Sequence, residues 1–301
     1  MQRVAVIDLG SNTFHVLIVD LKEDGTFDLI VKERRYVYIA GTDIHHIDDE
    51  AFVRGIDTLQ EFRILMDRHQ VVDYKAIGTA ALRTARNNTK FIDAAMQEAN
   101  INITLISGDQ EAQYIAKGIG QLYQHNRPHL VMDIGGGSVE FIKGEASIEW
   151  FQSFKVGISI LYHQFMKTDP IKPSDLEALY AFLDDKLQPL ISELDSEISY
   201  DLIGAAGTYE ILATYLHGEF SDSLSTLDIN GIKALYHKAI SMSIDERKDI
   251  EGIPPHRAQY LVVSLALIMY VLEHINISEV YVSAYSMKEG ILSEFLDISK
   301  N

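Results

Sequence analysis

Cysteine is missing from this sequence, and its absence excludes three kinds of chemistry. Disulfide bonds, zinc sites built from thiolates and cysteine nucleophiles all require a thiol. We therefore expect a reducing cytoplasm as the compartment. Long hydrophobic runs are missing too: the longest nearly apolar stretch, Leu261–Leu272, is too short to span a bilayer and predicts a buried helix. Asp8, inside the first apolar run, is atypical of a signal peptide.

Cationic side chains are few, with 26 Lys and Arg against 44 Asp and Glu and a formal net charge of −18. Proteins that bind duplex nucleic acid usually carry a basic face, so we expect neither duplex nucleic acid nor a membrane as a partner. A phosphate substrate remains compatible with this charge if a metal ion, a few arginines or backbone N–H groups neutralise it locally. The 301 residues suit one large domain or two of moderate size.

One sequence pattern occurs twice, as VAVIDLGSNTFHVLI at residues 4–18 and as HLVMDIGGGSVEFI at residues 129–142. In both copies an apolar run contains an aspartate near its end, a glycine turn follows, and a second apolar alternation begins after a hydroxyl residue. The corresponding pairs are Asp8 with Asp133, Gly10 with Gly135, and Thr13 with Ser138. Strands alternate with helical patterns along the chain, which favours an α/β fold with one such unit in each of two domains.

Glycine turns of this kind can bind phosphate, because a backbone without side chains lets N–H groups approach an anion closely. The candidate phosphate-binding residues in the two loops are Gly10, Ser11, Asn12, Thr13, Gly135, Gly136, Gly137 and Ser138. Asp8 and Asp133 are candidates for holding Mg²⁺, which would bridge to phosphate oxygens, although Asp8 could instead only orient its loop. The alternative is two hairpins whose glycines serve turn geometry alone. The repetition of the pattern favours the phosphate site.

Further motifs accompany the two loops along nearly the whole chain. They are GTAALRTARN (78–87), ISGDQEA (106–112), GAAGTYEILA (204–213), IPPHRAQ (253–259) and SAYSMKEGIL (283–292). With these motifs the sequence resembles the Ppx/GppA family of exopolyphosphatases and guanosine pentaphosphate phosphohydrolases, which belongs to the actin-like ATPase superfamily. The resemblance implies an α/β protein of two actin-like (ribonuclease H-like) domains with the active site in a cleft between them.

The same resemblance implies domain limits. The first domain would cover residues 1–120 and the second 121–287, with a C-terminal helix at about 288–301 packing back on the first. It implies a short form without the helical C-terminal module of longer relatives. It is also compatible with a homodimer.

Two glutamates are the catalytic residues that the resemblance implies. Glu111 would lie in the first turn of a helix capped by Asp109, where the helix dipole favours an ionised carboxylate able to activate water. From the residues alone, Glu111 could equally be a plain glutamate that stabilises the dipole. Glu140 follows Ser138 by two residues and so shares its strand face; the alternative is a solvent-facing strand residue. Asp133 matches the family's metal-associated aspartate.

Arg83 and Arg86 are the candidate side chains for phosphate contact, because a guanidinium matches phosphate oxygens with two bonds. We favour Arg83, since Arg86 could instead pair with an acid. The implied reaction is Mg-assisted hydrolysis of a terminal phosphoanhydride in inorganic polyphosphate or guanosine pentaphosphate. An ATP-dependent kinase of the same fold and a non-catalytic sensor of these compounds stay open as alternatives. Departures from the family pattern at YVYIAGTDI (36–44), Ser264 and Lys288 leave the substrate preference open.

Overall fold

A computed structural model describes four stretches of the chain, residues 2–24, 26–41, 44–221 and 223–298. Contacts divide the chain into two compact units. Unit 1 combines Met1–Gly118 with Met287–Asn301, and unit 2 is Ile119–Ser286. Residues 299–301 of the predicted C-terminal helix lie outside the described residues.

The strands are numbered along the chain. They are β1 Gln2–Leu9, β2 Thr13–Leu21, β3 Phe27–Tyr36, β4 Asp73–Gly78, β5 Ile103–Leu105, β6 His129–Ile134, β7 Val139–Gly144, β8 Ile148–Phe154, β9 Tyr200–Ala205, β10 Leu224–Leu227 and β11 Ile277–Ser283.

The helices are numbered in the same way. They are α1 Asp49–Arg68, α2 Ala80–Thr84, α3 Asn88–Ala99, α4 Gly108–Ile119, α5 Ile158–Phe165, α6 Pro173–Glu193, α7 Ala206–His217, α8 Ile229–Ser241, α9 Ile244–Lys248, α10 Leu261–His274 and α11 Met287–Ile298. A short 3-10 helix covers Pro255–Arg257.

Unit 1 is built on a five-stranded sheet with the order β3-β2-β1-β4-β5. Strands β1, β2 and β3 pair in antiparallel fashion, and β4 and β5 continue the sheet in parallel. Alternation along β2 sends Phe14 into a core that includes Phe62 of α1 and Phe91 of α3. Thr13 and His15 therefore lie on the opposite face of the sheet.

Helix α11 packs within unit 1, against β1 and α4. Its Gly290 lies so close to α4 that an added Cβ would stand 1.8 Å from the carbonyl oxygen of Tyr114. The carboxylate of Glu294 accepts a hydrogen bond from the Tyr114 hydroxyl and pairs with Lys75 of β4. Burial and the bond to Glu294 raise the pKa of Tyr114 to about 12. Polar and steric contacts thus fix α11 on α4.

Unit 2 is built on a six-stranded sheet with the order β10-β11-β9-β6-β7-β8. Strands β6, β7 and β8 pair in antiparallel fashion, whereas β9 runs parallel to both β6 and β11. Residues 261–271 of α10 are all buried, which confirms the predicted buried helix. No helix in the part of the chain that the structure describes is both long enough and apolar enough to cross a membrane.

The two sheets share one arrangement. In each, three consecutive antiparallel strands form one side, and a later strand, β4 or β9, adds in parallel to the first of the three. Strands β5 and β11 continue the two sheets in parallel, and β10 is an antiparallel edge strand of the second sheet. This order confirms the predicted α/β class, with one sheet in each of two units. It also puts the turn after β1 and the turn after β6 at equivalent positions, beside the carboxyl ends of the parallel strands.

Candidate functional site

The two glycine turns have the same hydrogen bond at their base. The N–H of Gly10 donates to the carbonyl oxygen of Thr13 at 3.0 Å, and the N–H of Gly135 donates to that of Ser138 at 3.0 Å. An added Cβ would stand 3.1 Å from the Thr13 oxygen at the first glycine and 2.9 Å from the Ser138 oxygen at the second. A side chain would therefore crowd this carbonyl oxygen in both turns, and more severely at Gly135 than at Gly10.

Residues 37–40 hold the first loop in place. The N–H groups of Val37 and Tyr38 donate to the carbonyl oxygen of Asn12 at 3.0 and 2.9 Å, and the N–H of Ala40 donates to that of Ser11 at 3.2 Å. A trans peptide unit is planar, with its N–H antiparallel to its C=O. Because these two carbonyls point toward residues 37–40, the N–H groups of the same peptide units point the other way, as an anion site requires.

The start of α5 holds the second loop in the same manner. The N–H groups of Ile158 and Ser159 donate to the carbonyl oxygens of Gly135 and Gly136 at 3.0 and 2.9 Å. Gly157 makes this approach possible, because a Cβ there would stand 2.3 Å from the Gly136 oxygen. The sequence analysis missed Gly157, although a glycine directly before a helical pattern was a usable signal.

A hydroxyl group binds the side chain two residues further along in both units. In unit 2, Ser138 Oγ donates to Glu140 Oε1 at 2.7 Å, and Ser153 Oγ on β8 donates to the same oxygen at 2.7 Å. In unit 1, Thr13 Oγ1 lies 3.0 Å from His15 Nε2. Glu140 is only 2% exposed, so its reading as a solvent-facing strand residue is wrong.

Asp133 and Glu140 stand directly opposite each other on β6 and β7, and both are buried. Cross-strand partners project from the same face of the sheet. Ser286 Oγ donates to Asp133 Oδ2 at 2.6 Å, a contact that the sequence analysis missed although Ser286 lies in the motif SAYSMKEGIL. Asp8 is half-buried and stands opposite His15 on β2.

A magnesium ion fits the acidic pair of unit 2. Two carboxylates on one buried face repel each other, and a divalent cation beside them relieves that repulsion. The described residues contain no group of three or more Asp, Glu or His side chains arranged for a metal. A magnesium site in a phosphate enzyme usually needs only one or two carboxylates, because water and substrate oxygens share the ion.

Glu111 lies in the first turn of α4 in unit 1, with 9% of its surface exposed. Its N–H donates to the carbonyl oxygen of Ser107 at 3.0 Å. Ser107 caps the helix: Ser107 Oγ accepts from the N–H of Gln110 at 3.2 Å, and Gln110 Oε1 accepts from the N–H of Ser107 at 3.0 Å. The prediction that Asp109 caps this helix is therefore wrong, because the helix begins one residue before Asp109.

Arg83 lies in the short helix α2 and reaches Glu111. Its Nη1 donates to the carbonyl oxygen of Ile106 at 2.7 Å and to Glu111 Oε2 at 3.4 Å. Arg86 follows the end of α2, is exposed, and its N–H donates to the carbonyl oxygen of His45 at 2.9 Å. Of the two arginines, Arg83 is thus the one beside the candidate base. Its contact with phosphate stays a prediction.

The predicted site residues fall into two groups. Unit 1 carries Asp8, Gly10, Ser11, Asn12, Thr13, Arg83 and Glu111, and unit 2 carries Asp133, Gly135, Gly136, Gly137, Ser138 and Glu140. Within unit 1, the structure brings Arg83 to Glu111; within unit 2, it brings Ser138 to Glu140. Ser153 and Ser286 complete the second group.

Curated relatives of this chain are longer than it is. A guanosine-5'-triphosphate,3'-diphosphate pyrophosphatase from Vibrio parahaemolyticus is 31% identical over 97% of this chain and 59% of its own length. A protein of the same name from Vibrio campbellii is 30% identical with the same coverage. The chain therefore spans about three fifths of the length of the curated relatives it matches.

Two solved structures match nearly the whole of this chain and nearly the whole of their own. An exopolyphosphatase from Cytophaga hutchinsonii is 35% identical, with a TM-score of 0.92 and 98% of both chains covered. The PPX-GPPA enzyme of Aquifex aeolicus is 24% identical, with a TM-score of 0.80, 97% of this chain covered and 99% of that one. At 24% identity, the match to the Aquifex aeolicus enzyme shows only that the fold is the same. The sequence profile of the Ppx/GppA phosphatase family matches residues 18–298, and this chain belongs to that family.

Proposed function

We propose that this chain hydrolyses the terminal phosphoanhydride bond of guanosine pentaphosphate or inorganic polyphosphate. The names of the relatives support the reaction class, since one is a pyrophosphatase of a guanosine nucleotide and another is an exopolyphosphatase. Each of these substrates ends in a phosphoanhydride, so one set of phosphate-binding loops serves either compound.

The observation that carries the proposal is the pair of Glu111 and Arg83. Glu111 is an almost buried carboxylate in the first turn of a helix, 3.4 Å from Arg83 Nη1. The helix N-terminus and the guanidinium both favour its ionised form. An ionised carboxylate held in one orientation is suited to take a proton from water. The water oxygen then bonds to the terminal phosphorus, and the bridging P–O bond breaks to release inorganic phosphate.

The loops and the acidic pair would stabilise the phosphoryl group during this step. The N–H groups of both glycine loops are fixed before substrate arrives, because residues 37–40 and the start of α5 already bind the loop carbonyls. Fixed donors stabilise developing charge without reorganising. Asp133, with Glu140 beside it, would hold Mg²⁺, which when bound neutralises charge on the phosphate oxygens.

The test is phosphate release by the full chain, with Mg²⁺, from guanosine pentaphosphate and from long-chain polyphosphate. We expect release from at least one substrate and its loss when EDTA removes the metal. Folded protein that releases phosphate from neither compound would overturn the proposal. In that case, ATP turnover dependent on an added sugar would identify a kinase, and tight binding without turnover would identify a sensor.

A further inference from the structure

The segment YVYIAGTDI begins at Tyr36, the last residue of β3; its residues 42 and 43 lie outside the described residues. Two tyrosines of this segment form a stacked pair. The ring centroids of Tyr36 and Tyr38 are 6.0 Å apart, and the ring planes differ by 21°. Both side chains are half-buried, whereas Val37 between them is buried.

The pair lies beside the first phosphate loop. Tyr36 is the cross-strand partner of Thr13 in the β2–β3 register. Side chains of such partners share one face of the sheet, with Cβ atoms about 5 Å apart. Tyr38 is tied to the loop itself, since its N–H donates to the carbonyl oxygen of Asn12 at 2.9 Å. Two stacked rings thus border the predicted phosphate-binding residues of unit 1.

Tyr38 adopts a backbone conformation that is disfavoured for residues with a Cβ. Its φ is +51°, in the left-handed region. The bond to Asn12 and a second bond, from the N–H of Gly41 to the carbonyl oxygen of Tyr38 at 3.0 Å, hold it there. Glycine would adopt this conformation without strain. The tyrosine therefore places an aromatic ring beside the loop at the cost of a strained backbone. Strain of this kind concentrates at functional sites.

We propose that Tyr36 and Tyr38 form a stacking surface for the purine base of a nucleotide substrate. The inference rests on the proposed function and narrows it, because inorganic polyphosphate has no ring to stack while guanosine pentaphosphate has one. Stacked aromatic side chains recognise bases by their flat faces. The pair therefore makes this chain prefer the guanosine nucleotide over polyphosphate.

The test compares kcat/KM for guanosine pentaphosphate and for polyphosphate in three variants. Tyr36→Ala removes one ring, and Tyr38→Gly removes the other while fitting the left-handed backbone. We expect the ratio of the two kcat/KM values to fall about 10-fold or more in both. Tyr36→Phe keeps the ring and should keep the ratio. An unchanged ratio in the first two variants, or a loss in Tyr36→Phe as large as in Tyr36→Ala, would overturn the stacking surface.

A binding experiment separates this inference from the proposed function. Calorimetric titration of the Glu111→Gln protein with GTP and with inorganic tripolyphosphate compares ligands that share three phosphates and differ in the nucleoside. We expect tighter binding of GTP, and a loss of that advantage in the double variant with Tyr36→Ala. If the chain hydrolyses nothing but shows this pattern, the proposed function fails and the stacking surface stands. Equal affinity for both ligands overturns the stacking surface whatever the activity.

Discussion

Ser153 on β8 donates a hydrogen bond to Oε1 of Glu140 on β7 at 2.7 Å, across two adjacent strands. Because Ser138 donates to the same oxygen at 2.7 Å, the carboxylate is held from two sides. Ser153→Ala removes one of these two hydrogen bonds and should therefore lower kcat for phosphate release about 10-fold. Glu140→Gln should lower kcat further. Steady-state kinetics measure both. Ser196→Ala, at an exposed serine of unit 2, is the matched control. Full activity in Ser153→Ala would mean that the bond only stabilises the sheet.

Glu111→Gln should reduce phosphate release by a factor of about 100 to 10,000, the usual contribution of a general base. The amide keeps the size of the side chain but cannot take a proton from water. Asp109→Asn removes a charge from the same helical turn, at an exposed position, and should leave the rate within about twofold. If both variants lose activity equally, the charge of the helix terminus matters and proton transfer to Glu111 does not.

Ser286→Ala should raise the Mg²⁺ concentration needed for half-maximal activity by about 10-fold. The hydroxyl fixes Asp133 through a 2.6 Å bond, and partners that orient metal-binding carboxylates typically contribute this much to affinity. Titration of activity with MgCl₂ gives the value. Saturating magnesium should restore most of the wild-type rate. A defect that no magnesium concentration relieves would point to a contact unrelated to the metal.

Gly157→Ala should displace the second phosphate loop. The added Cβ would meet the backbone of Gly136 at 2.3 Å, so the loop or α5 must move, and overpacking of this kind costs about 1–3 kcal/mol. We expect KM to rise at least about 10-fold while circular dichroism still reports a folded protein. Gly10→Ala, where the nearest atom is 3.1 Å away, should be milder. The reverse order of severity would contradict the loop geometry.

Lowering the pH should reduce the free energy of unfolding, because His129 binds a proton less readily in the folded chain than in the unfolded one. Burial lowers the pKa of His129 below its ordinary value near 6.5, and the ring packs 5.0 Å from that of Tyr123. As the pH falls through 6.5, the unfolded chain binds the proton before the folded one does, so stability falls. His129→Phe keeps an aromatic ring and cannot titrate. Its Tm should fall less between pH 7.5 and pH 5.5 than that of the wild type; an equal fall in both proteins would exclude His129 as the cause.

The glycine loops could be predicted from the sequence because the signal is local. An aspartate and a glycine between two apolar alternations define a hairpin within a few residues, and its repetition at Asp8 and Asp133 points to a shared role. The same alternation, followed by helical patterns, led to the correct α/β class. The prediction that Asp109 caps α4 was wrong because sequence patterns locate helix ends only to within one or two residues. Ser107, two residues earlier, accepts the hydrogen bond from the N–H of Gln110 and caps the helix instead.

The partners of the acidic residues could not be predicted in this way. Ser153 lies 13 residues from Glu140, and Ser286 lies 153 residues from Asp133. Only the pairing of β7 with β8 brings the first pair together, and only the folding of unit 2 brings the second. The stacking of Tyr36 on Tyr38 likewise depends on a left-handed backbone at a tyrosine, which residue preferences argue against.

Because Gly290 and Glu294 of α11 pack against Tyr114 of α4, the two units complete their folding at different times during synthesis. Unit 2 is continuous in sequence, so it can fold as soon as its residues leave the ribosome. Unit 1 cannot complete its packing until α11 is present, and α11 is synthesised almost 170 residues after α4. A nascent chain that has reached residue 286 would contain all of unit 2, with the candidate magnesium ligands Asp133 and Glu140. Helix α4, which carries the candidate base Glu111, would still lack its contact with α11. The proposed hydrolysis would therefore require that α11 has been synthesised and has packed against α4.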